Sequence, residues 1–201
     1  MGASRSLKLV QYSAPLDIQV LRFADLRKRA KASNLTAAPH WVDFCHWVLA
    51  TSGEFTHMVD FVPQPCRAGS WLTVKPGQVH AFDLVADWDG WLVVFKPEAL
   101  PPAHERSQLD EVESLFDALP TMLAPPAEEH RAAQTIIEQM VRDADRYQDP
   151  AEGNRLMRAA LFYLLLRAQA CVRQYADPRL DIGPSEFHRF VRFKKQVELD
   201  M

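Results

Sequence analysis

The chain has 201 residues, of which 48% are hydrophobic and 24% are charged, and its formal net charge is -3 at pH 7. These fractions are typical of a globular protein and exclude a disordered chain, and the length suffices for one good hydrophobic core or two small ones. The small negative charge gives no general attraction to nucleic acid, so any DNA contact has to be local or lie outside this chain.

No segment predicts membrane insertion or secretion. The longest apolar run, Ala159 to Leu166, is far shorter than the roughly 20 residues of a membrane-spanning helix. Residues Met1 to Val10 lack the apolar core of a signal peptide. Cys45, Cys66 and Cys171 are odd in number and form no CxxC pair, which indicates free thiols in a reducing compartment. We therefore predict a cytoplasmic protein without a membrane partner.

The first half of the sequence has the pattern of a small β-protein. Short segments rich in Val, Phe, Trp and Thr alternate with Gly, Pro, Asn and Asp residues, as strands alternate with turns. The predicted strands are Ile18 to Arg22, Asp43 to Ala50, Phe55 to Phe61, Gly69 to Val74, Val79 to Val85 and Gly90 to Phe95. Strands of this length and spacing predict a barrel or a sandwich over residues 1–100.

From about residue 101 onward the hydrophobic period becomes helical. An apolar stripe with i, i+3, i+4 spacing runs from Ala133 to Tyr147 and predicts an amphipathic helix that begins after Pro125 and Pro126. Further helices are predicted from Glu152 to Tyr175 and from Pro184 to Leu199. The predicted class is therefore α+β, with a β-domain at residues 1–100 and a helical segment at residues 101–201.

The helix predicted from Glu152 to Tyr175 is apolar on every face between Ala159 and Leu166. Packing against one side of a β-domain would bury only one stripe of such a helix. One explanation is a homodimer, in which the helices of two copies cover each other. The other is a central helix that neighbours within one chain surround, but a small domain offers few such neighbours. We predict the dimer, with contacts from Leu161, Phe162, Leu164 and Leu165.

Strand parity predicts that several histidines share one pocket. Alternation before Ala50 places His40, Phe44 and His46 on one face, and His80 shares its face with Phe82. Histidines and aromatic rings on the inner face of a β-domain suit the recognition of a small molecule. The predicted ligand-binding residues are His40, Val42, Phe44, His46, Leu72, Val74, His80 and Phe82. His57 is in phase with Phe55 and is equally compatible with an inward or an outward side chain.

The same positions argue against a metal. Metal-binding barrels of the cupin type use two histidines two residues apart, a later carboxylate, and a final histidine after a Pro-Gly corner. Here Val42 occupies the second position and His46 the carboxylate position, which leaves His40, His46 and His80. We predict no tightly bound transition metal and no cofactor. The sequence also lacks GxSxG, P-loop, GxGxxG and HExxH motifs, so no catalytic residue is predicted.

The order of these residues resembles the N-terminal cupin-like domain of AraC-type transcriptional regulators. The resemblance covers about Ile18 to Leu100 and is carried by the PGQVH corner at Pro76 to His80 and the GWLVVFKPE stretch at Gly90 to Glu98. The segment from Phe187 to Glu198 is similar to the lead into the two helix-turn-helix motifs of that family.

The resemblance implies a cupin-like, jelly-roll antiparallel β-barrel that binds a small-molecule effector, followed by helices that pair two subunits. It implies that DNA is bound by a C-terminal helix-turn-helix domain that is not in this chain, and that the chain itself has no catalytic activity. A stand-alone metal-dependent cupin enzyme, a dioxygenase or an isomerase, is the alternative. A sugar-binding cupin without a regulatory role is a third possibility.

Overall fold

The computed structural model describes residues 8–10, 16–32, 38–99, 115–147 and 149–175. Most of the strands precede the two long helices. In chain order the elements are β1 (Lys8–Val10), β2 (Ile18–Arg22), α1 (Phe23–Ala32), β3 (His40–Val42), β4 (Cys45–Val59), β5 (Val62–Arg67), β6 (Trp71–Val74), β7 (Val79–Ala81), β8 (Trp88–Phe95), β9 (Met122–Leu123), α2 (Ala127–Arg146) and α3 (Pro150–Tyr175). Among the described helices, none combines the length and the apolar character that a membrane span needs.

The strands form two sheets that share β4. The first half of β4 pairs antiparallel with β6 and β8, and β9 and β2 extend this sheet at its two sides. We call it the helix-side sheet. The second half of β4 pairs antiparallel with β5 and β7, and β7 continues to β3 and then to β1. We call this one the outer sheet.

The change of sheet occurs at an irregularity in β4. The register against β8 shifts between Ala50 and Ser52. Gly53 follows with a φ of +74°, and a Cβ atom at this position would lie 2.1 Å from the carbonyl oxygen of Asp87. Only glycine tolerates this left-handed backbone and this close approach of another backbone. A single 15-residue strand can therefore contribute to both sheets.

The predicted α+β class is confirmed, but two details of the predicted barrel are corrected. Among the described strands, the paired series runs from β1 to β9 and does not close on itself. The β1–β3 pair is parallel, whereas the other pairs are antiparallel. Because β4 passes from one sheet to the other, the two sheets are connected through this strand instead of forming one closed ring.

The local predictions differ from the structure at several places. The predicted strands Asp43 to Ala50 and Phe55 to Phe61 overlap one strand, β4, and the strand predicted over Val79 to Val85 ends at Ala81. The predicted elements do not include β1, α1, β5 or β9. Strand β5 contains Pro63 and Pro65, which cannot donate to a ladder, and it is tolerated because among the described strands β5 pairs only with β4.

The helix-side sheet separates two hydrophobic cores. Alternation along β4 sends Trp47 and Leu49 into a core shared with α2 and α3, and Val48 and Ala50 into a core shared with the outer sheet. We call these the helix-side core and the inter-sheet core. Helix α1 completes the inter-sheet core through the ring of Phe23.

The position of α3 corrects the predicted dimer contacts. Leu161, Leu164 and Leu165 are completely buried in the helix-side core of their own chain, and the partly buried Phe162 packs against the same core. This contradicts the prediction that these residues cover a second subunit. The neighbours that the sequence analysis did not expect are α2 and the helix-side sheet. Dimerisation itself stays a prediction.

The remaining predictions concern the second half of the chain. The helix predicted from Pro184 to Leu199 and the segment from Phe187 to Glu198 lie outside the described residues. The division at residue 100 stays a prediction. Across that boundary, β9 pairs with β6, and residues of α2 and α3 share a core with strands from the first half.

Candidate functional site

Four histidines meet where the two sheets face each other. In the outer sheet, His80 of β7 pairs with His40 of β3 and with Val59 of β4, so the three residues share a face. In the helix-side sheet, His46 of β4 pairs with Val74 of β6. Tertiary structure thus joins residues from strands that are distant in sequence.

His80 lies at the centre of this group, which we call the histidine cluster: His40, His46, His57 and His80. The ring centroid of His80 is 4.5 Å from that of His40, 4.8 Å from that of His46 and 5.3 Å from that of His57. Two phenylalanine rings border the cluster. Phe44 lies 4.7 Å from His46, and Phe82 lies 5.3 Å from His80.

The predicted apolar residues adjoin the cluster. Val42, Phe44, Leu72, Val74 and Phe82 all belong to the inter-sheet core. The structure therefore brings the predicted histidines and apolar residues into one region. Their role in binding a ligand stays a prediction.

His57 is the member of the cluster that the sequence analysis did not select. It is completely buried, and its Nε2 atom lies 3.1 Å from Nδ1 of His80. The residues around His57 indicate that its side chain points inward. Phe55 and Val59 of the same strand are buried, whereas Thr56 is exposed. An alternating strand with apolar residues on both sides of a histidine favours the inward orientation.

Several imidazole nitrogens of the cluster have no hydrogen-bond partner. The ring N–H of His40 donates from Nδ1 to the carbonyl oxygen of Ala38 over 3.0 Å, and His40 is half-buried. Within the described part of the chain, both nitrogens of His46, Nδ1 of His57 and Nε2 of His80 are buried and unpaired. Buried polar atoms are nearly always paired in proteins, so this group is unusual.

Burial keeps these imidazoles neutral. It lowers the pKa of His46 and of His57 to about 3, and neighbouring histidines add to the effect by repulsion between positive charges. The pKa of His80 is lowered further for the same two reasons. Neutral imidazoles each present one N–H donor and one lone pair. His46, His57 and His80 therefore offer hydrogen bonds without charge.

The arrangement does not form a recognisable metal centre. Among the residues that the structure describes, no group of three or more histidine, cysteine, aspartate or glutamate side chains is placed to hold a metal ion. The absence of a bound metal stays a prediction. The chemistry that the histidine cluster can perform with its own atoms is the donation and acceptance of hydrogen bonds beside aromatic rings.

Comparison with known proteins identifies the family. The family model of the AraC-like ligand binding domain matches residues 25–166, which include all four members of the histidine cluster. The crystal structure of the AraC-like transcriptional activator CuxR matches with a TM-score of 0.46 and 15% sequence identity, over 89% of this chain and 61% of that chain. This chain thus spans less than two thirds of that protein. Curated proteins show no match. The match of the family model to more than half of the sequence shows that the chain belongs to the family of AraC-like ligand binding domains.

Proposed function

We propose that this chain is the ligand-sensing and dimerisation domain of an AraC-type transcriptional regulator, with the histidine cluster as its effector site. DNA is then bound by a helix-turn-helix domain outside this sequence. The observation that carries the proposal is the set of buried, unpaired imidazole nitrogens on His46, His57 and His80. A small molecule that pairs with these atoms recovers the free energy that their burial costs.

The same residues favour sensing over catalysis. A general acid or base works best when its pKa lies near the working pH, and burial holds the pKa of His46 and His57 at about 3. The family match also does not favour the alternative, a metal-dependent dioxygenase or isomerase. We therefore propose a domain without enzymatic activity and without a cofactor.

The exposed side of α3 supports a homodimer at a different surface from the one predicted. Exposed apolar residues follow each other at alternating spacings of three and four, as in a coiled-coil seam. We call them the α3 stripe: Leu156, Ala159, Tyr163, Leu166 and Ala170. The exposed side of α2 is polar over most of its length, with Arg131, Thr135, Gln139 and Arg142. We propose that two copies pair through the α3 stripe.

A regulator of this kind acts where the DNA is, so we propose a cytoplasmic protein. Cys45, Cys66 and Cys171 are buried and form no disulfide with one another, as suits a reducing compartment. The net charge of -3 supports the assignment of DNA binding to another domain.

A screen of small molecules tests the proposed site. The chain is mixed with a metabolite library, and the change in melting temperature is recorded for the unmodified chain, for His80→Phe and for His130→Asn. His130 is a buried histidine that bonds to Trp71, away from the cluster, and serves as the matched control. We expect some compounds to raise the melting temperatures of the unmodified chain and of His130→Asn. The same compounds should leave the melting temperature of His80→Phe unchanged. A library in which every hit also stabilises His80→Phe equally would reject the histidine cluster as the effector site.

A further inference from the structure

The unpaired atoms of the histidine cluster indicate the chemistry of a molecule that could pair with them. They are Nδ1 and Nε2 of His46, Nδ1 of His57 and Nε2 of His80. These three side chains are at least nine-tenths buried. None of these atoms has a hydrogen-bond partner within the described protein, so a bound molecule that pairs with them would satisfy them.

The hydrogen bond between His57 and His80 determines how many donors and acceptors remain. If Nε2–H of His57 donates to Nδ1 of His80, the free nitrogens are a lone pair on His57 and an N–H on His80. If the proton lies on Nδ1 of His80, the two roles are exchanged. Either tautomer leaves one donor and one acceptor. Neutral His46 adds one of each, so the four unpaired atoms present two donors and two acceptors.

Charge around the cluster restricts the ligand further. Among the described residues, burial and the other histidines lower the pKa values of His46, His57 and His80, and no lysine, arginine or carboxylate there contributes. A charged ligand would lose its hydration without gaining a counter-ion. A carboxylate would also only accept hydrogen bonds, and an ammonium group would only donate them, whereas a hydroxyl does both.

The remaining surroundings are apolar. The rings of Phe44 and Phe82 and side chains of the inter-sheet core border the histidines. A sugar ring carries more hydroxyls than four nitrogen atoms can pair, and the surplus would be left against apolar carbon. An aromatic ring with one or two hydroxyls instead matches both the nitrogens and the phenylalanine rings.

We propose that the histidine cluster binds an uncharged phenolic molecule, a phenol or a catechol, with its hydroxyls on His46, His57 and His80 and its ring beside Phe44 and Phe82. The proposal rests on the proposed function of the cluster as the effector site. His40 is half-buried and its ring centroid lies 4.5 Å from that of His80, so it is the most exposed member of the histidine cluster.

Calorimetry with five probes at neutral pH tests this class: catechol, phenol, benzoate, benzylamine and glucose. We expect catechol to bind most tightly, and benzoate, benzylamine and glucose to bind at least about tenfold more weakly. Binding of catechol should have the same enthalpy in buffers of different ionisation enthalpy, because neither the ligand nor the imidazoles change protonation. Zinc titrated into the ligand-free chain should show no tight binding.

A variant separates binding from folding. His46→Phe removes two unpaired nitrogens and retains a ring of similar shape, so it should raise the melting temperature. The affinity of the variant for catechol should be at least about tenfold lower. Unchanged catechol affinity in this variant would overturn the proposed contacts. Tighter binding of benzoate or glucose, or proton uptake with catechol, would overturn the ligand class.

The probes also distinguish failure of the ligand class from failure of the proposed function. If benzoate or glucose binds to the unmodified chain and not to His80→Phe, the histidine cluster is an effector site with another ligand chemistry. If none of the five probes binds but a library hit depends on His80, the phenolic class is rejected and the sensing function stands. If neither probes nor library hits depend on His80, both proposals fail.

Discussion

The buried histidines make the stability of this protein depend on pH. In the unfolded chain each histidine titrates near pH 6.5, whereas His46 and His57 in the folded chain titrate near pH 3. Between these values the unfolded state binds more protons, so lowering the pH favours unfolding. The stability contribution of the neutral imidazoles is complete above pH 6.5 and is lost as the pH falls toward 3.

We predict that His46→Phe reduces this pH dependence. Urea unfolding at several pH values between the two titrations should show a slope smaller by up to about 1.4 kcal/mol per pH unit, since one proton fewer is bound on unfolding. The control is Gln139→Ala on the exposed side of α2, which removes no titrating group and should leave the slope unchanged. If His46→Phe and the unmodified chain have the same slope, His46 is not neutral and buried as described.

Two glycines, one in β4 and one in the turn after β5, allow a second test at the scale of single residues. At Gly53 a Cβ atom would be 2.1 Å from a backbone oxygen, whereas at Gly69 nothing lies within 4 Å of it, although both have positive φ. Gly69→Ala should therefore cost about 1 to 2 kcal/mol from backbone strain alone. Gly53→Ala should cost roughly 1 to 3 kcal/mol more than Gly69→Ala, because the backbone next to it also has to move. Urea unfolding measures both, and equal losses would contradict the described passage of β4 between the sheets.

At the scale of elements, α2 connects the helix-side sheet to α3. The indole N–H of Trp71 in β6 donates to Nδ1 of His130 over 2.9 Å, and the carboxylate of Glu129 accepts a hydrogen bond from Arg167 in α3. These neighbouring residues of α2 thus contact both layers. Leu72, beside Trp71, faces the inter-sheet core.

We predict that His130→Leu destabilises the fold by about 1 to 3 kcal/mol, because the buried indole N–H of Trp71 loses its acceptor. Trp71→Phe combined with His130→Leu should cost less than the sum of the two single changes, because neither polar atom is then left alone. Gln139→Ala on the exposed side of α2 is the control and should change stability by less than about 0.5 kcal/mol. Strictly additive single and double changes would show that this hydrogen bond is not formed.

At the scale of the whole molecule, the α3 stripe is the surface at which the proposed dimer is tested. Leu156, Tyr163 and Leu166 have 38%, 49% and 39% of their surface exposed, an unusual amount for large apolar residues on one helix side. Changing Leu156 and Leu166 to Glu should weaken dimerisation at least about 100-fold. The circular dichroism spectrum should be unchanged, because neither side chain belongs to the core.

The matched control carries the same charge change on α2, as Thr135→Glu with Gln139→Glu, and should leave the dimer intact. Analytical ultracentrifugation over a range of concentrations gives the dissociation constants. Leu165→Glu is expected to unfold the chain instead, because this leucine is completely buried in its own subunit. A monomeric unmodified chain, or equal weakening by the α2 control, would reject the α3 stripe as the interface.

The sequence alone determined much of the composition of the site. Alternation correctly separated Val48 from Trp47 and Leu49 of β4, because successive side chains of a strand point to opposite faces. Val42 and Phe44 belong to the same core as Val48, but from β3 and the bend after it. The helical period likewise predicted α2 and α3 close to their observed limits. Local patterns of this kind depend on the backbone geometry of a single helix or strand, so they can be predicted from that segment alone.

Only the tertiary structure decided which elements cover each face. The contact of His57 with His80 depends on the pairing of β4 with β7, which joins residues about twenty positions apart. The burial of Leu161, Leu164 and Leu165 within one chain depends on the packing of α2 and the helix-side sheet around α3. Periodicity predicts that an apolar face will be buried. It does not predict which element covers that face, because this depends on packing between residues that are distant in sequence.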